Sequence, residues 1–102
     1  MKRIIDGKLY NTDTAEFIGE ASNTWRVSDY SYYHEELYRT KKGSFFLYGK
    51  GNGASKYRSY EGDGFGPGEK IVPVSVEDAK HWVENHMSPE DYEEVFGAVE
   101  EA

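Results

Sequence analysis

The pattern of apolar and polar positions begins with a short β-hairpin. The apolar pairs Ile4-Ile5 and Leu9-Tyr10 flank Asp6-Gly7. An Asp-Gly pair favours a tight turn because both of its positions tolerate positive φ. We therefore predict two paired strands within residues 2–10.

The next segment carries apolar residues at a spacing typical of a helix. Thr12 or Asp13 can cap the first turn, which predicts a helix through about residue 21. The following polar and aromatic residues, 22–31, predict an irregular crossing loop. The apolar residues available for the buried helical face are Ala15, Phe17, Ile18 and Ala21.

The middle of the chain predicts a second hairpin. Residues 34–40 and 44–50 alternate in the manner of strands, and Lys41-Lys42-Gly43 supplies the turn. Both faces carry large side chains, so we expect this hairpin to be covered on both sides or lined for binding. One face is formed by Leu37, Phe45 and Leu47, and the other by Tyr38, Phe46 and Tyr48.

The segment 49–68 holds seven of the eleven glycines and predicts a long loop with a short strand near residues 55–59. Residues 70–74 then predict a strand. Because proline cannot donate to a β-ladder, Pro73 places that strand at an edge of the sheet, or places the end of the strand on the edge side.

Two capped helices are predicted at the C-terminal end. Ser75 and Ser88 stand at N-cap positions, and Pro89 occupies the first position of the second helix. The buried residues expected here are Ala79, Trp82, Val83, Val95, Phe96 and Val99. Together these elements predict an α+β fold in a single domain, 1–102. It has a small antiparallel sheet, helices packed on one face, and an order of about ββαβββαα.

Charge is distributed unevenly along this chain of net charge −7. The segment from Glu69 to Ala102 contains ten acidic and two basic residues, whereas residues 37–60 contain no acidic residue. Such polarity restricts which partners can approach each surface. The aromatic content of 16% shows that the acidity belongs to a folded chain, because disordered acidic chains have few aromatic residues.

Several functional classes receive no support from the sequence. Cysteine is absent, which excludes disulfides and thiolate chemistry. The apolar run near the N-terminus is too short for a signal peptide, and no stretch approaches the roughly 18 apolar residues of a membrane span. We therefore expect a soluble protein of the bacterial cytoplasm that makes no membrane contact.

No catalytic, cofactor or metal site is predicted. His81 and His86 are five residues apart, which places them on different helical faces and does not suit a zinc pair. No serine has the glycine pattern of a nucleophile elbow. The run Gly49-Lys50-Gly51-Asn52-Gly53 lacks the ending of a phosphate-binding loop. We expect a protein that is not an enzyme.

Two surfaces are candidates for binding. The first is acidic and helical, and it could imitate the charge of a nucleic-acid backbone: Glu77, Asp78, Glu84, Glu90, Asp91, Glu93 and Glu94. The second combines basic and aromatic residues, as binders of single-stranded nucleic acid do: Lys41, Lys42, Lys56, Tyr57 and Arg58. The net charge argues against direct nucleic-acid binding, which depends on neutralising phosphates.

Three segments resemble a group of short proteins from phages, plasmids and other mobile elements of Gram-positive and gut bacteria. They are 37–49 (LYRTKKGSFFLYG), 68–73 (GEKIVP) with the helix after it, and the opening IIDGK with Tyr10 and Thr14-Ala15-Glu16. The resemblance supplies no active-site motif. It implies, by analogy with small acidic mobile-element proteins, an inhibitor of the anti-CRISPR kind.

The sequence thus favours a binding protein that inhibits a host nucleic-acid-dependent defence complex, such as a Cas effector, through its acidic helices. The alternative is an accessory protein that binds single-stranded nucleic acid through the basic, aromatic hairpin 38–60. A third possibility is a domain that only oligomerises, through the sheet edge near Pro73. The oligomeric state stays open at this point.

Overall fold

The computed structural model describes residues 1–102, apart from the side chain of Glu61. Eight strands precede two helices, and all strand pairs are antiparallel. The elements are β1 (Lys2–Ile5), β2 (Lys8–Asn11), β3 (Glu16–Ser22), β4 (Tyr33–Arg39), β5 (Phe45–Gly51), β6 (Ser59–Glu61), β7 (Gly64–Gly66), β8 (Gly68–Val74), α1 (Val76–His86) and α2 (Pro89–Phe96). The predicted α+β class is confirmed.

A four-stranded sheet of order β3-β4-β5-β8 forms the centre of the fold. Both strands of the predicted middle hairpin are present, joined at residues 40–44. The strand that contains Pro73 lies at an edge, as predicted, and its open side does not require the amide hydrogen that proline lacks.

The helix predicted from residue 12 or 13 to residue 21 is wrong. Residues 12–15 form turns in which the amides of Thr14 and Ala15 donate to the carbonyl of Asn11 and the amide of Asp13 donates to its side chain. Strand β3 follows. Pairing with β4 from Glu16 to Ser22, interrupted by a bulge at Ile18, satisfies backbone groups on one side of β3. Gly19 also disfavours a helix, and its missing side chain leaves room for the sulfur of Met87.

The two faces of the sheet carry separate cores. On the helix side, Leu37 and Phe45 pack with Ala79, Trp82 and Val83. On the opposite side, which we call the hairpin side, the β1–β2 hairpin covers part of the sheet. There Tyr10 packs with Tyr38, Phe46 and Ile71. The expectation that the middle hairpin is covered on both faces is therefore confirmed for its turn-proximal half.

Both predicted helix caps are present. The Ser75 hydroxyl accepts a hydrogen bond from the amide of Asp78 at 3.0 Å, and the Ser88 hydroxyl accepts one from the amide of Asp91 at 3.1 Å. The second helix ends at Phe96 because Gly97 adopts a φ of 95°. Val99, predicted as a buried helical residue, lies beyond the helix and is exposed.

The glycine-rich segment folds back over the helix side of the sheet. The short strand expected near residues 55–59 begins only at Ser59 and pairs with β7. The loop before it lays the ring of Tyr57 directly on the backbone of Gly49. A β-carbon at position 49 would stand 2.0 Å from Cζ of that ring, so only glycine permits this packing.

We expect Gly49→Ala to lower the free energy of unfolding by about 1–3 kcal/mol, because the new methyl group must displace the buried Tyr57 ring. Urea denaturation measures this change. Gly64→Ala in β7 is the matched control, since open space surrounds its β-carbon. Equal stability of the Gly49→Ala variant and the wild type would contradict the packing of Tyr57 on β5.

Candidate functional site

A buried carboxylate organises the helix side of the sheet. Glu35, on β4, is only 4% exposed and accepts hydrogen bonds from three side chains in two other parts of the chain. Oε2 receives the Tyr57 hydroxyl at 2.5 Å and lies 2.7 Å from Nζ of Lys56. Oε1 receives the indole N–H of Trp82 at 3.1 Å. The network thus joins β4, the glycine-rich loop and α1.

The network also sets the protonation states of its members. Burial by itself raises the pKa of Glu35, but hydrogen bonds from Lys56, Tyr57 and Trp82, together with the Lys56 charge, bring that pKa below its ordinary value. Burial and the bond to Glu35 raise the pKa of Tyr57. The cluster therefore holds a carboxylate and a neutral phenol, which suits a structural role.

The structure separates the predicted basic set into two groups. Lys41 and Lys42 lie at the β4–β5 turn, whereas Lys56 lies beyond the far end of these strands, about 20 Å away for seven-residue strands. Lys56 forms the ion pair with Glu35 and lies 4.7 Å from the centre of the Tyr33 ring. Tyr57 is 3% exposed. Lys56 and Tyr57 thus serve the fold.

Arg58 belongs to a different, exposed cluster. Its guanidinium lies 4.7 Å from the centre of the Phe65 ring, and Phe65 packs edge-on against Tyr60. Tyr30 reaches the same hairpin, where its hydroxyl donates to the carbonyl of Phe65 at 3.4 Å. In the adjoining loop, Trp25 is 83% exposed. Of these aromatic residues, sequence analysis included only Tyr60, at the end of the hairpin 38–60, because the proximity of the others depends on two distant loops.

The acidic residues of the helices remain on the surface. Six of the seven are exposed, and Asp91 is half-buried. Among the described residues, the ion pairs join His34 to Glu36, Arg39 to Glu16 and Lys56 to Glu35, so none includes a carboxylate of α1 or α2. No carboxylate of α1 or α2 therefore forms an ion pair among the described residues, although Lys80 lies on α1 between Glu77 and Glu84.

A cleft between the two helices brings several of these acids together. Glu84 of α1 and Glu93 of α2 both line it. Glu77 precedes Glu84 by seven residues and so lies on the same face of α1. Glu90 and Glu94 are four residues apart on α2. The floor of the cleft is apolar and is formed by Met87, Pro89, Tyr92 and Val99.

A third group of polar side chains occupies the part of the hairpin side that β1 and β2 leave open. Glu20, His34 and Glu36 place one ligand-type atom each within 4.8 Å of the others. Among the described residues this is the group with metal-ligand chemistry. The sequence signal is His34-Glu35-Glu36, which places His34 and Glu36 on one strand face. Glu20 joins them only through the pairing of β3 with β4.

We expect Glu35→Gln to lower the free energy of unfolding by about 2 kcal/mol at pH 7. The glutamine amide has no negative charge, so it cannot form the ion pair with Lys56 or accept charge-assisted hydrogen bonds from Tyr57 and Trp82. The folded-state pKa of Glu35 lies below the ordinary 4.5, so the carboxylate's contribution is complete above pH 4.5. It is lost as the pH falls from there through the folded-state pKa.

Denaturation of both proteins across pH 3–7 checks this effect. The difference in unfolding free energy between wild type and Glu35→Gln should shrink as the pH falls below 4.5. Glu84→Gln, which neutralises an exposed carboxylate, is the control and should change little. If the difference in unfolding free energy between wild type and Glu35→Gln does not change with pH, the charge of Glu35 does not contribute to stability.

Neither helix in the described part of the chain has the length and apolar character needed to cross a membrane. Comparison with protein-family models, with curated proteins and with solved structures finds no match for this chain.

Proposed function

We propose that this protein is a binding protein whose acidic helical face docks on a basic surface of another protein. The acidic helical face comprises Glu77, Asp78, Glu84, Glu90, Asp91, Glu93 and Glu94. The basic surface is of the kind that holds nucleic acid, and docking there prevents the nucleic acid from binding. The target class is a host nucleic-acid-dependent defence complex, such as a Cas effector.

One observation carries this proposal: an acid of each helix lines one cleft, and none of the helical acids forms an ion pair among the described residues. Carboxylates that share one helical surface repel one another, and an opposing array of lysine and arginine removes that repulsion. The same array attracts the domain over a distance of about one Debye length, which speeds association.

The cleft between the helices supplies the apolar surface that a protein interface needs in addition to charge. Its apolar floor includes Tyr92 and Met87, side chains that commonly anchor interfaces, and its rim carries Glu84 and Glu93. An apolar side chain flanked by arginine or lysine fits this arrangement. A nucleic acid does not fit, because its phosphates would face the carboxylates. The partner chemistry is therefore that of a basic protein surface.

The resemblance to short mobile-element proteins points to the same class of target. Such proteins act inside a host cell whose defences depend on nucleic-acid-binding complexes, and a compact acidic surface competes directly for the basic channels of those complexes. The inhibitor acts by occupation, so it requires no catalytic group of its own.

We expect neutralisation of the acidic helical face to abolish capture of the target. The variant combines Glu84→Gln, Glu93→Gln and Glu94→Gln, which leaves in place the acids of the first helical turns that favour the helix dipoles. Tagged protein is incubated with nuclease-treated bacterial lysate. The wild type should retain a nucleic-acid-binding complex, with at least a tenfold loss in the variant.

The matched control neutralises three carboxylates elsewhere: Asp6→Asn, Asp13→Asn and Asp63→Asn. It should capture the complex as the wild type does. The captured complex is then bound to a labelled nucleic acid, which the wild-type protein should displace and the helix variant should not. Undiminished capture or displacement by the helix variant would refute docking through the acidic helical face.

A second candidate function has its own supporting observation, the exposed cluster of Arg58, Tyr60 and Phe65, which the loop containing Trp25 contacts through Tyr30. Aromatic faces beside guanidinium groups are the elements on which single-stranded nucleic acid stacks. The surface proposed for single-stranded nucleic acid is therefore formed by β6, β7 and the loop that contains Trp25, and not by the whole hairpin 38–60.

If the domain binds single-stranded nucleic acid here, fluorescence anisotropy with a labelled oligonucleotide should show salt-dependent binding. Arg58→Glu and Trp25→Ala should each weaken it at least about tenfold, in line with one lost stacking or phosphate contact. Lys41→Glu with Lys42→Glu, at the opposite end of the hairpin, should have a smaller effect. No binding at low salt would eliminate this second function.

A further inference from the structure

We propose that Glu20, His34 and Glu36 form a binding site for one divalent transition-metal ion of the zinc class. The site lies on the hairpin side of the sheet, beyond the part that β1 and β2 cover. Its residues come from two adjacent strands, since Glu20 pairs with Glu36 across β3 and β4, and His34 lies two residues before Glu36. It is separate from the acidic helical face, which belongs to the other side of the sheet.

The distance between the two β4 ligands fits a metal better than it fits a hydrogen bond. Nε2 of His34 lies 3.5 Å from Oε2 of Glu36, beyond the usual 2.7–3.2 Å of an N–H···O hydrogen bond. Two ligand atoms that are each about 2.1 Å from a tetrahedral zinc ion lie about 3.4 Å apart. The backbone thus already holds these atoms at the separation that the ion requires.

The other polar atoms of both ligands are oriented by neighbouring hydroxyl groups. Nδ1 of His34 lies 2.9 Å from the Ser22 hydroxyl. When Nδ1 donates its hydrogen to that oxygen, Nε2 presents its lone pair towards the site. Oε1 of Glu36 accepts the Tyr38 hydroxyl at 2.6 Å, which leaves Oε2 to face the histidine. Such outer hydrogen bonds are typical of metal ligands.

The third ligand completes the site with a short movement. A carboxylate oxygen of Glu20 lies within 4.8 Å of the other two ligand atoms. Glu20 is exposed, so rotation of its side chain can bring that oxygen to the ion. Three protein ligands leave the fourth tetrahedral position to water or to a ligand from outside, which can approach from the side of the exposed Glu20.

The surrounding charge favours a cation. Glu69 lies on the same side of the sheet, where it accepts the Tyr48 hydroxyl, and Lys50 supplies the opposing charge. The carboxylates of Glu20, Glu36 and Glu69 therefore share this side of the sheet with the ammonium group of Lys50. A histidine with two carboxylates favours zinc, cobalt and nickel, whereas magnesium prefers oxygen ligands and retains its water.

Isothermal titration calorimetry of the untagged protein with zinc chloride tests the proposal. The wild type should bind one equivalent, and Co²⁺ should give the strong visible absorption of a four-coordinate ion. His34→Ala should weaken zinc binding more than about 100-fold, and Ser22→Ala, which removes only an orienting hydroxyl, about 10–100-fold. Magnesium should not compete at a tenfold excess over zinc.

His81→Ala and Glu84→Gln are the matched controls, since both residues are exposed on α1. Both variants should bind zinc as the wild type does, and thermal denaturation of each metal-free variant establishes that it is folded. NMR of the His34 ring should show a zinc-dependent shift of Nε2 alone. Absence of one-to-one binding, or binding that survives His34→Ala, would overturn the proposal.

Discussion

The fold depends on a single buried carboxylate. Glu35 lies in the middle of the sheet, where an unsatisfied charge would cost several kcal/mol, so the chain must bring it hydrogen-bond donors. Those donors come from Lys56, Tyr57 and Trp82. This requirement fixes the course of the glycine-rich loop and the position of α1 on the sheet. It also explains why Gly49 cannot carry a side chain, since the Tyr57 ring must cross it to reach Glu35.

The same requirement shapes the electrostatics of the surface. Lys56, in the glycine-rich loop, forms an ion pair with Glu35. Arg39 forms an ion pair with Glu16 and donates a hydrogen bond to the carbonyl of Val95. Neither cation is available to the carboxylates of α1 and α2. The acids of α1 and α2 therefore form no ion pair among the described residues, and Lys80 is the one basic residue within their own helices other than histidine.

Much of the fold could be predicted from local patterns. The Asp6-Gly7 turn, the two faces of the middle hairpin and the Ser75 and Ser88 caps all depend on residues close in sequence, and each is present. Strand β3 could not be predicted this way, because its apolar residues also fit a helix and only pairing with β4 decides between them. The Glu35 network and the group at His34 are equally non-local, since each joins residues from separate strands or loops.

The uneven covering of the hairpin side follows from a change in polarity along β4 and β5. Towards their turn these strands present Tyr38 and Phe46, which need the β1–β2 hairpin to exclude water. Towards the other end they present His34, Glu36 and Lys50, polar groups that would lose their remaining hydration under an apolar cover. The His34 and Glu36 side chains keep only 18% and 23% of their surface exposed, and the hydroxyl groups of Ser22 and Tyr38 satisfy part of their polar atoms. The same two hydrogen bonds leave Nε2 of His34 and Oε2 of Glu36 facing each other, which is the arrangement that the proposed ion requires.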